Sequence, residues 1–356
     1  MVSPTVDIVV PVWNNPFETR ACLVAILTHS PSARLIIVDS GSSRETELML
    51  EEFSEPLGDQ GLFIKTERNI GLVATINMGL ARSDSDFTVI VRPNVTVRDG
   101  WLDSLLQAAE SSGAGIVSPL FSGAGAPVLP EPTPGCSLVE SGVVSFTTLL
   151  MRTEMRIVAG CFDESLDGDE WCLKDYVRRV SSRGYRTCLC AELRLPCTVM
   201  HSLGSVLRRG ERIQASRSAY LARWGTPRHY GIYLSSTPSV PGSLDEMMAT
   251  LLHGARQGHV FTLLLHRRPS ALFLQMGWDG LHTGITLCRV SPLFPQRTLR
   301  KKIALLRLTS PDLVLVRQPD TVVFPGGGVS ISLEELLDTF KKSTDEKRYQ
   351  PEEQSC

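Results

Sequence analysis

The sequence predicts an α/β protein: a larger N-terminal part with a mainly parallel central sheet, followed by a small C-terminal α/β domain. Three observations predict it. Apolar runs of strand length alternate with longer helix-like segments from the first residues. The composition shifts after Trp224, and a second alternating series then begins. At 356 residues the chain is long enough for two cores.

In order, "DIVVPVW" reads as a strand, Pro16 to His29 as a helix, "RLIIVDS" as a second strand and Arg44 to Phe53 as a second helix. "LFIKTE" and "FTVIV" add strands around the helix "LVATINMGLARS", where Leu72, Ile76 and Leu80 form one apolar stripe. Ser122 to Gly135 is rich in Gly, Pro and Ala and reads as a loop. "SGVVSFTTLLM" follows as strand and "MRIVAGCFDE" as a short helix and turn. A polar helix covers Asp175 to Arg183 and ends at Gly184, before the extended segments "YRTCLC" and "LPCTVMH".

"SSTPSVPGS" reads as a linker, with the domain boundary near Tyr230: 1–230, then 231–340. In the second part "DEMMATLLHGARQ" and "LEELLDTFKK" are amphipathic helices, the latter opened by Ser332 with Glu335 three residues on. "FTLLL", "ALFLQ" and "DLVLVRQ" are strand-like. The charged tail 341–356 reads as disordered.

Lys and Arg number 36 against 38 Asp and Glu, so no strong field draws the chain onto nucleic acid. No run approaches the ~20 apolar residues of a membrane span, and Asp7 interrupts the first apolar run, so a soluble, cytoplasmic protein is expected. Nine irregularly spaced cysteines read as reduced thiols.

The blocks "DIVVPVWNNP", "LIIVDSGSSRET", "ERNIGLVATINMGLARSDSDFTVIVRPNVTVRDGWLDSL", "GCFDESLDGDEWCLKDYVRRVSSRGYR" and "CTVMHSLGS" resemble, in order and spacing, the family-two glycosyltransferases of GT-A fold. The resemblance covers roughly residues 5 to 225. It implies transfer of a sugar from a nucleotide-diphosphate donor to an acceptor hydroxyl, usually with inversion and a divalent metal, Mg or Mn. It also implies a carbohydrate, lipid-linked or protein acceptor, as in cell-surface polysaccharide biosynthesis.

Donor-binding roles are implied at Pro11, at Asp39 on a strand end, and at Asn69, Gly71 and Asn77 of the N-x-G block, where the glycine would let backbone approach the nucleotide. Asp39 would accept hydrogen bonds from the nucleobase or ribose; the minor alternative is a turn aspartate capping the next helix through Ser40 and Ser42. His201 matches a histidine that helps hold metal or diphosphate. Trp171 and Asp175 match the acceptor rim, where the family shows a tryptophan, two acids, one residue and another acid; Asp175 reads equally as a first-turn helix carboxylate.

Two positions depart from the pattern. The strand-end aspartate that binds the metal is replaced by Asn94, a weaker neutral ligand, with Arg92 nearby. The paired acids that include the general base fall on Cys172 and Leu173, which cannot do that work. Upstream lie Asp167, Asp169 and Glu170, of which Glu170 and then Asp169 are the substitute bases, against the alternative of solvated loop charges. Either Arg92, Arg208 and Arg209 neutralise the diphosphate in place of metal, or the domain binds the sugar nucleotide as a catalytically silent scaffold.

Cys188, Cys190, Cys197 and His201 lack zinc-knuckle spacing and read as buried thiols. The glycines of "VVFPGGGVSISLEELL" lack the lysine of a P-loop and read as a turn. "NVT" at Asn94 fits a glycosylation sequon in a place that argues against its use. "LLLHRRP" and "RTLRKK" are basic clusters open to an anionic lipid, an acidic partner or water, so peripheral membrane contact is one of the readings.

Overall fold

Alternation of side-chain direction along the apolar strands builds a sheet with two dry faces. The computed structural model describes residues 4–168, 170–199, 206–236, 244–317 and 330–346. Its first half runs β1 (Val6–Val12), α1 (Pro16–His29), β2 (Arg34–Asp39), α2 (Arg44–Ser54), β3 (Gly61–Lys65), α3 (Leu72–Leu80) and β4 (Phe87–Val91). These strands lie parallel in the order β3-β2-β1-β4. Val10 and Ile37 face Leu23, Ile26 and Leu50 of α1 and α2, whereas Val9, Ile36 and Val38 face Val73 and Ile76 of α3. Both faces are therefore covered, as a parallel sheet requires.

The chain continues through α4 (Trp101–Ser112), β5 (Ile116–Ser122), β6 (Leu138–Glu140), β7 (Thr148–Arg152), α5 (Thr153–Ala159), α6 (Trp171–Ser182), β8 (Thr187–Pro196) and α7 (Val206–Trp224). The eight-stranded sheet has the order β3-β2-β1-β4-β7-β5-β8-β6, with β7 antiparallel to both β4 and β5. The two extended segments expected after Gly184 largely form one strand, β8, which crosses a register shift against β5. Helix α6 starts at Trp171, four residues before the expected Asp175, because Cys172 and Leu173 pack into the core.

Asp7 is a charge inside β1, and its carboxylate is fully buried. Arg34 binds both its oxygens at 2.9 Å, and the N–H groups of Asp84 and Ser85 donate to it. Burial pushes this carboxyl up, but the Arg34 and serine hydrogen bonds outweigh it and leave the group below its usual range. This anchor ties β1, β2 and the turn before β4 together.

The second unit comprises β9 (His229–Leu234), α8 (Leu244–Arg256), β10 (Val260–Leu265), α9 (Arg267–Gln275), β11 (Ile285–Arg289), α10 (Pro295–Thr309), β12 (Val314–Arg317), β13 (Ser330–Ser332) and α11 (Leu333–Glu346). Its strands are all parallel in the order β11-β10-β9-β12-β13. Several sequence expectations change here. "ALFLQ" is helical, within α9: Pro269, Ser270 and Phe273 are buried, the three-to-four-residue spacing of a helix face, and Phe273 packs on Trp278. The second sheet starts at His229, and the Ser/Pro stretch comes after β9 rather than between the units; residues 237–243 of it lie outside the described residues, as does the glycine run. Residues 341–346 of the tail continue α11, whose start carries the expected capping box: Ser332 and Glu335 exchange hydrogen bonds at 2.9 and 3.1 Å.

The two units join at the β6 edge. Glu140 takes Arg256 of α8 at 2.5 and 2.9 Å, its backbone pairs with Leu281 and Thr283, and it bridges to His282. This covers an edge strand that would otherwise be open. His282 is buried, and its Nδ1 accepts the Gly284 N–H, which requires the neutral ring. Burial pushes His282 and His259 down to about 4. A histidine neutral in the fold takes up its proton only on unfolding, so the unfolded chain binds more protons between about pH 6.5 and 4. We therefore expect stability to fall by about 3 kcal/mol from His282 alone as pH drops through that window. Urea melts at steps of pH measure it, and His282→Gln is expected to flatten the slope.

Candidate functional site

At the carboxyl edge of the parallel strands, three loops converge. The first follows β1: Asn14 and Asn15 both adopt left-handed backbone, with φ of 58° and 54°, a conformation asparagine tolerates better than most residues. Asn14 locks onto the second loop, its N–H donating to Ser42 Oγ at 2.8 Å and its Oδ1 accepting from Ser43 N–H at 2.7 Å. In the second loop Asp39 Oδ1 accepts the Ser42 N–H at 3.1 Å. The third loop, after β3, is pinned by Thr66 N–H on the Asp39 carbonyl and by Ser40 Oγ, which accepts from Ile70 N–H.

An open cleft of about 740 Å³ lies on the third loop, lined by Arg68, Asn69, Ile70, Ala74, Met78 and Glu164. Its polar rim and apolar floor suit a small polar ligand with a planar part. Arg68 and Glu164 were not singled out from the sequence; the position of Glu164 depends on a contact across the fold. Asn77 donates to Glu164 Oε1 and to the Phe162 carbonyl, each at 2.9 Å, and accepts the Phe162 N–H. Asn77 therefore positions the cleft wall through Phe162 and Glu164. Asn69 is exposed on the cleft, and its Oδ1 also accepts the Gly71 N–H at 2.8 Å.

Gly71 has a φ of 92° and caps α3. A Cβ there would collide with Asp167 Oδ2. The glycine thus admits a carboxylate of its own chain. Burial pushes the Asp167 carboxyl up, opposed by the N–H groups of Val73 and Leu72 and by the Arg212 charge.

Asp39 stands at the end of β2 as expected, beside Val12, but is almost wholly buried. Burial pushes its carboxyl above the usual value, against hydrogen bonds from Ser42. Its carboxylate therefore holds the turn after β2 through Ser42. Pro11 is buried within β1, opposite Val38, one residue before the strand ends.

Asn94 is buried three residues past the end of β4. Its Nδ2 donates to the Thr198 carbonyl at 3.0 Å, and its Oδ1 is buried without a hydrogen-bond partner. It lines a crevice of about 10 Å³ with Trp13, Asn14, Asn15, Glu18 and Thr198. One neutral oxygen is a poor start for a hard dication, which takes six or more oxygen donors. Among the described residues no three His, Cys, Asp or Glu side chains converge on a metal position. The described donors alone do not fit a tightly held dication, and no step below is routed through one. His201 lies outside the described residues, as does Asp169. Cys188 and Cys197 are buried thiols pushed up to about 12 and about 11 by burial, in keeping with structural cysteines.

The acceptor block divides in two. Cys172 and Leu173 point into the core. Glu170 is exposed beside the start of α6 and paired with Lys174 at 2.6 Å; the same ammonium lies 4.4 Å from the Trp171 ring centre. Asp175 is fully buried in the seam between α6 and α7, in the second turn of its helix. Its Oδ1 accepts from Arg223 and Trp224 at 2.7 and 2.8 Å, and its Oδ2 from Arg179 at 2.9 Å. Asp175 is thus not the first-turn carboxylate of its helix but the buried partner of two arginines and an indole. Arg208 is exposed on the first turn of α7.

Residues 7–136 match the Glycosyl transferase family 2 model. The matched segment contains Pro11, Asp39, Asn69, Gly71, Asn77, Arg92 and Asn94; Glu170, Trp171 and Asp175 lie beyond it. Among solved structures, the chain is similar to a mannosyltransferase, PcManGT from Pyrobaculum calidifontis, in complex with GDP-Man and Mn2+. The TM-score is 0.51 at 15% identity, over 62% of this chain and 65% of that one. It is also similar to GalNAc-T7 with UDP, GalNAc and Mn2+, with a TM-score of 0.50 at 13% identity, over 61% of this chain and 50% of that one. The chain thus spans between half and just under two thirds of these structures. At such identities the likeness establishes the GT-A fold. No curated protein matches the sequence.

Proposed function

We propose that the protein is a glycosyltransferase that binds a nucleotide-diphosphate sugar at the β1–β3 carboxyl edge and transfers the sugar to an acceptor hydroxyl by direct displacement. The observation that carries this reading is the cleft lined by Arg68, Asn69 and Glu164, built on a family 2 segment and pinned to Asp39 through Thr66 and Ser40. Arg68 is placed to meet ligand charge, and Met78 and Ile70 to pack on a planar base.

In this reading Glu170 takes the acceptor proton. Its carboxylate is open to solvent, unlike the side chains at Cys172 and Leu173. Departing diphosphate charge falls to the arginines Arg92, Arg208 and Arg209. Support is chemical: guanidinium forks suit phosphate without a cation. Transfer measured as nucleoside diphosphate release is expected to be unchanged within about 2-fold by EDTA, since Asn94 supplies only one uncharged oxygen to a cation. Loss of turnover on chelation, restored by manganese, would return the metal to the mechanism.

A second reading is favoured by the burial of Cys172 and Leu173: a catalytically silent sugar-nucleotide-binding scaffold. It predicts donor binding with no release of diphosphate for any acceptor.

A further inference from the structure

Helix α10 presents two different faces. Leu299 and Ile303 are buried against Tyr233, Leu264 and Leu315 of the second sheet. The outward side is not the polar face such a helix should show. Leu305 is 63% and Leu308 81% exposed, and immediately before the helix Leu293 is 81% and Phe294 65% exposed. The cations are interleaved with them. Arg297, Arg300 and Lys301 are exposed, Lys302 is half-buried, and the fifteen residues from Pro295 to Thr309 contain no Asp or Glu.

We infer that this face of α10 docks on an anionic lipid surface. Apolar side chains that stand out singly from a convex helix make a poor socket for a folded partner, which needs a packed, dehydrated core patch. They suit insertion between lipid head groups, with Lys and Arg held at the phosphates and the helix lying in the plane of the interface. The net charge of the whole chain is −2, so the local run of cations, not a general field, sets the orientation. No helix among the described residues is long and apolar enough to cross a membrane, so the contact is peripheral. The inference is independent of the transferase reading, because it concerns another face and another ligand.

The test is co-sedimentation of the full chain with vesicles of phosphatidylcholine alone or of an equal mixture with phosphatidylglycerol. Binding to the mixture alone is expected, weakening as salt is raised. Arg297→Gln with Lys301→Gln is expected to weaken it roughly 30-fold. Leu305→Gln with Leu308→Gln is expected to abolish it while leaving the thermal melt unchanged, since both side chains are exposed. Failure of the wild type to sediment, or equal sedimentation of the leucine variant, would overturn the inference. So would a self-association seen by sedimentation velocity that the leucine variant removes while lipid binding stays absent.

Discussion

Replacing Asp175 by alanine is expected to destabilise the protein by about 3 kcal/mol, near the lower end of what breaking a buried ion pair costs. The carboxylate is wholly buried and satisfies Arg179, Arg223 and the Trp224 indole together. Its removal strands these donors, although Arg223 is partly exposed and still reaches Asp163 at 2.7 Å, which limits the loss. Asp175→Asn keeps an acceptor for the indole and is expected to cost less. Denaturant melts give the magnitudes. Turnover per folded molecule should stay within a few-fold of wild type for the asparagine variant. A large fall in kcat with an unchanged melt would put Asp175 back at the acceptor.

Glu170→Gln is expected to do the reverse, lowering kcat by about 10²–10⁴-fold, the usual contribution of a positioned general base. Stability should hardly change, because the exposed pair with Lys174 contributes at most about 1 kcal/mol. The donor KM should also hold, since Glu170 does not line the donor cleft. If the variant turns over like wild type, another acid removes the proton. If the wild type binds donor yet never releases diphosphate, the scaffold reading stands.

Much of the N-terminal sheet was legible because its strands are continuous aliphatic runs and its helices carry local signals. Pro16 opens α1, whose end at His29 the sequence also indicated, and Ser332 and Glu335 mark the start of α11. What failed depended on distant partners. "ALFLQ" is five residues of apolar character without a period, and only the packing of Phe273 on Trp278 decides for helix. The three residues of β6 are a strand because β8 lies on one side of them and the 281–283 segment closes the other.

The site divides the same way. Asp39 could be placed at a strand end and Asn94 just past one from the sequence, since a strand end is a local feature. The double asparagine after β1 was a missed signal: two consecutive residues tolerant of left-handed backbone, just before Pro16. The rotation of α6 could not be read. It decides that Cys172, Leu173 and Asp175 turn inward while Glu170 stays outside, and it is set by core packing around Tyr176 and Phe162. Likewise the space that Gly71 leaves is filled by Asp167, nearly a hundred residues away.

The most direct test of the central claim is calorimetric titration with uridine, guanosine, cytidine and thymidine diphosphates, with and without manganese. It would use wild type, Asp39→Ala and Arg68→Ala. One nucleotide is expected to bind, weakened by both substitutions, with Arg68→Ala leaving the melt unchanged because that side chain lies exposed on the cleft. The manganese arm reads whether Asn94 still supports a cation. Absence of binding by all four nucleotides, or binding that Arg68→Ala leaves untouched, would contradict a donor site at this edge of the sheet.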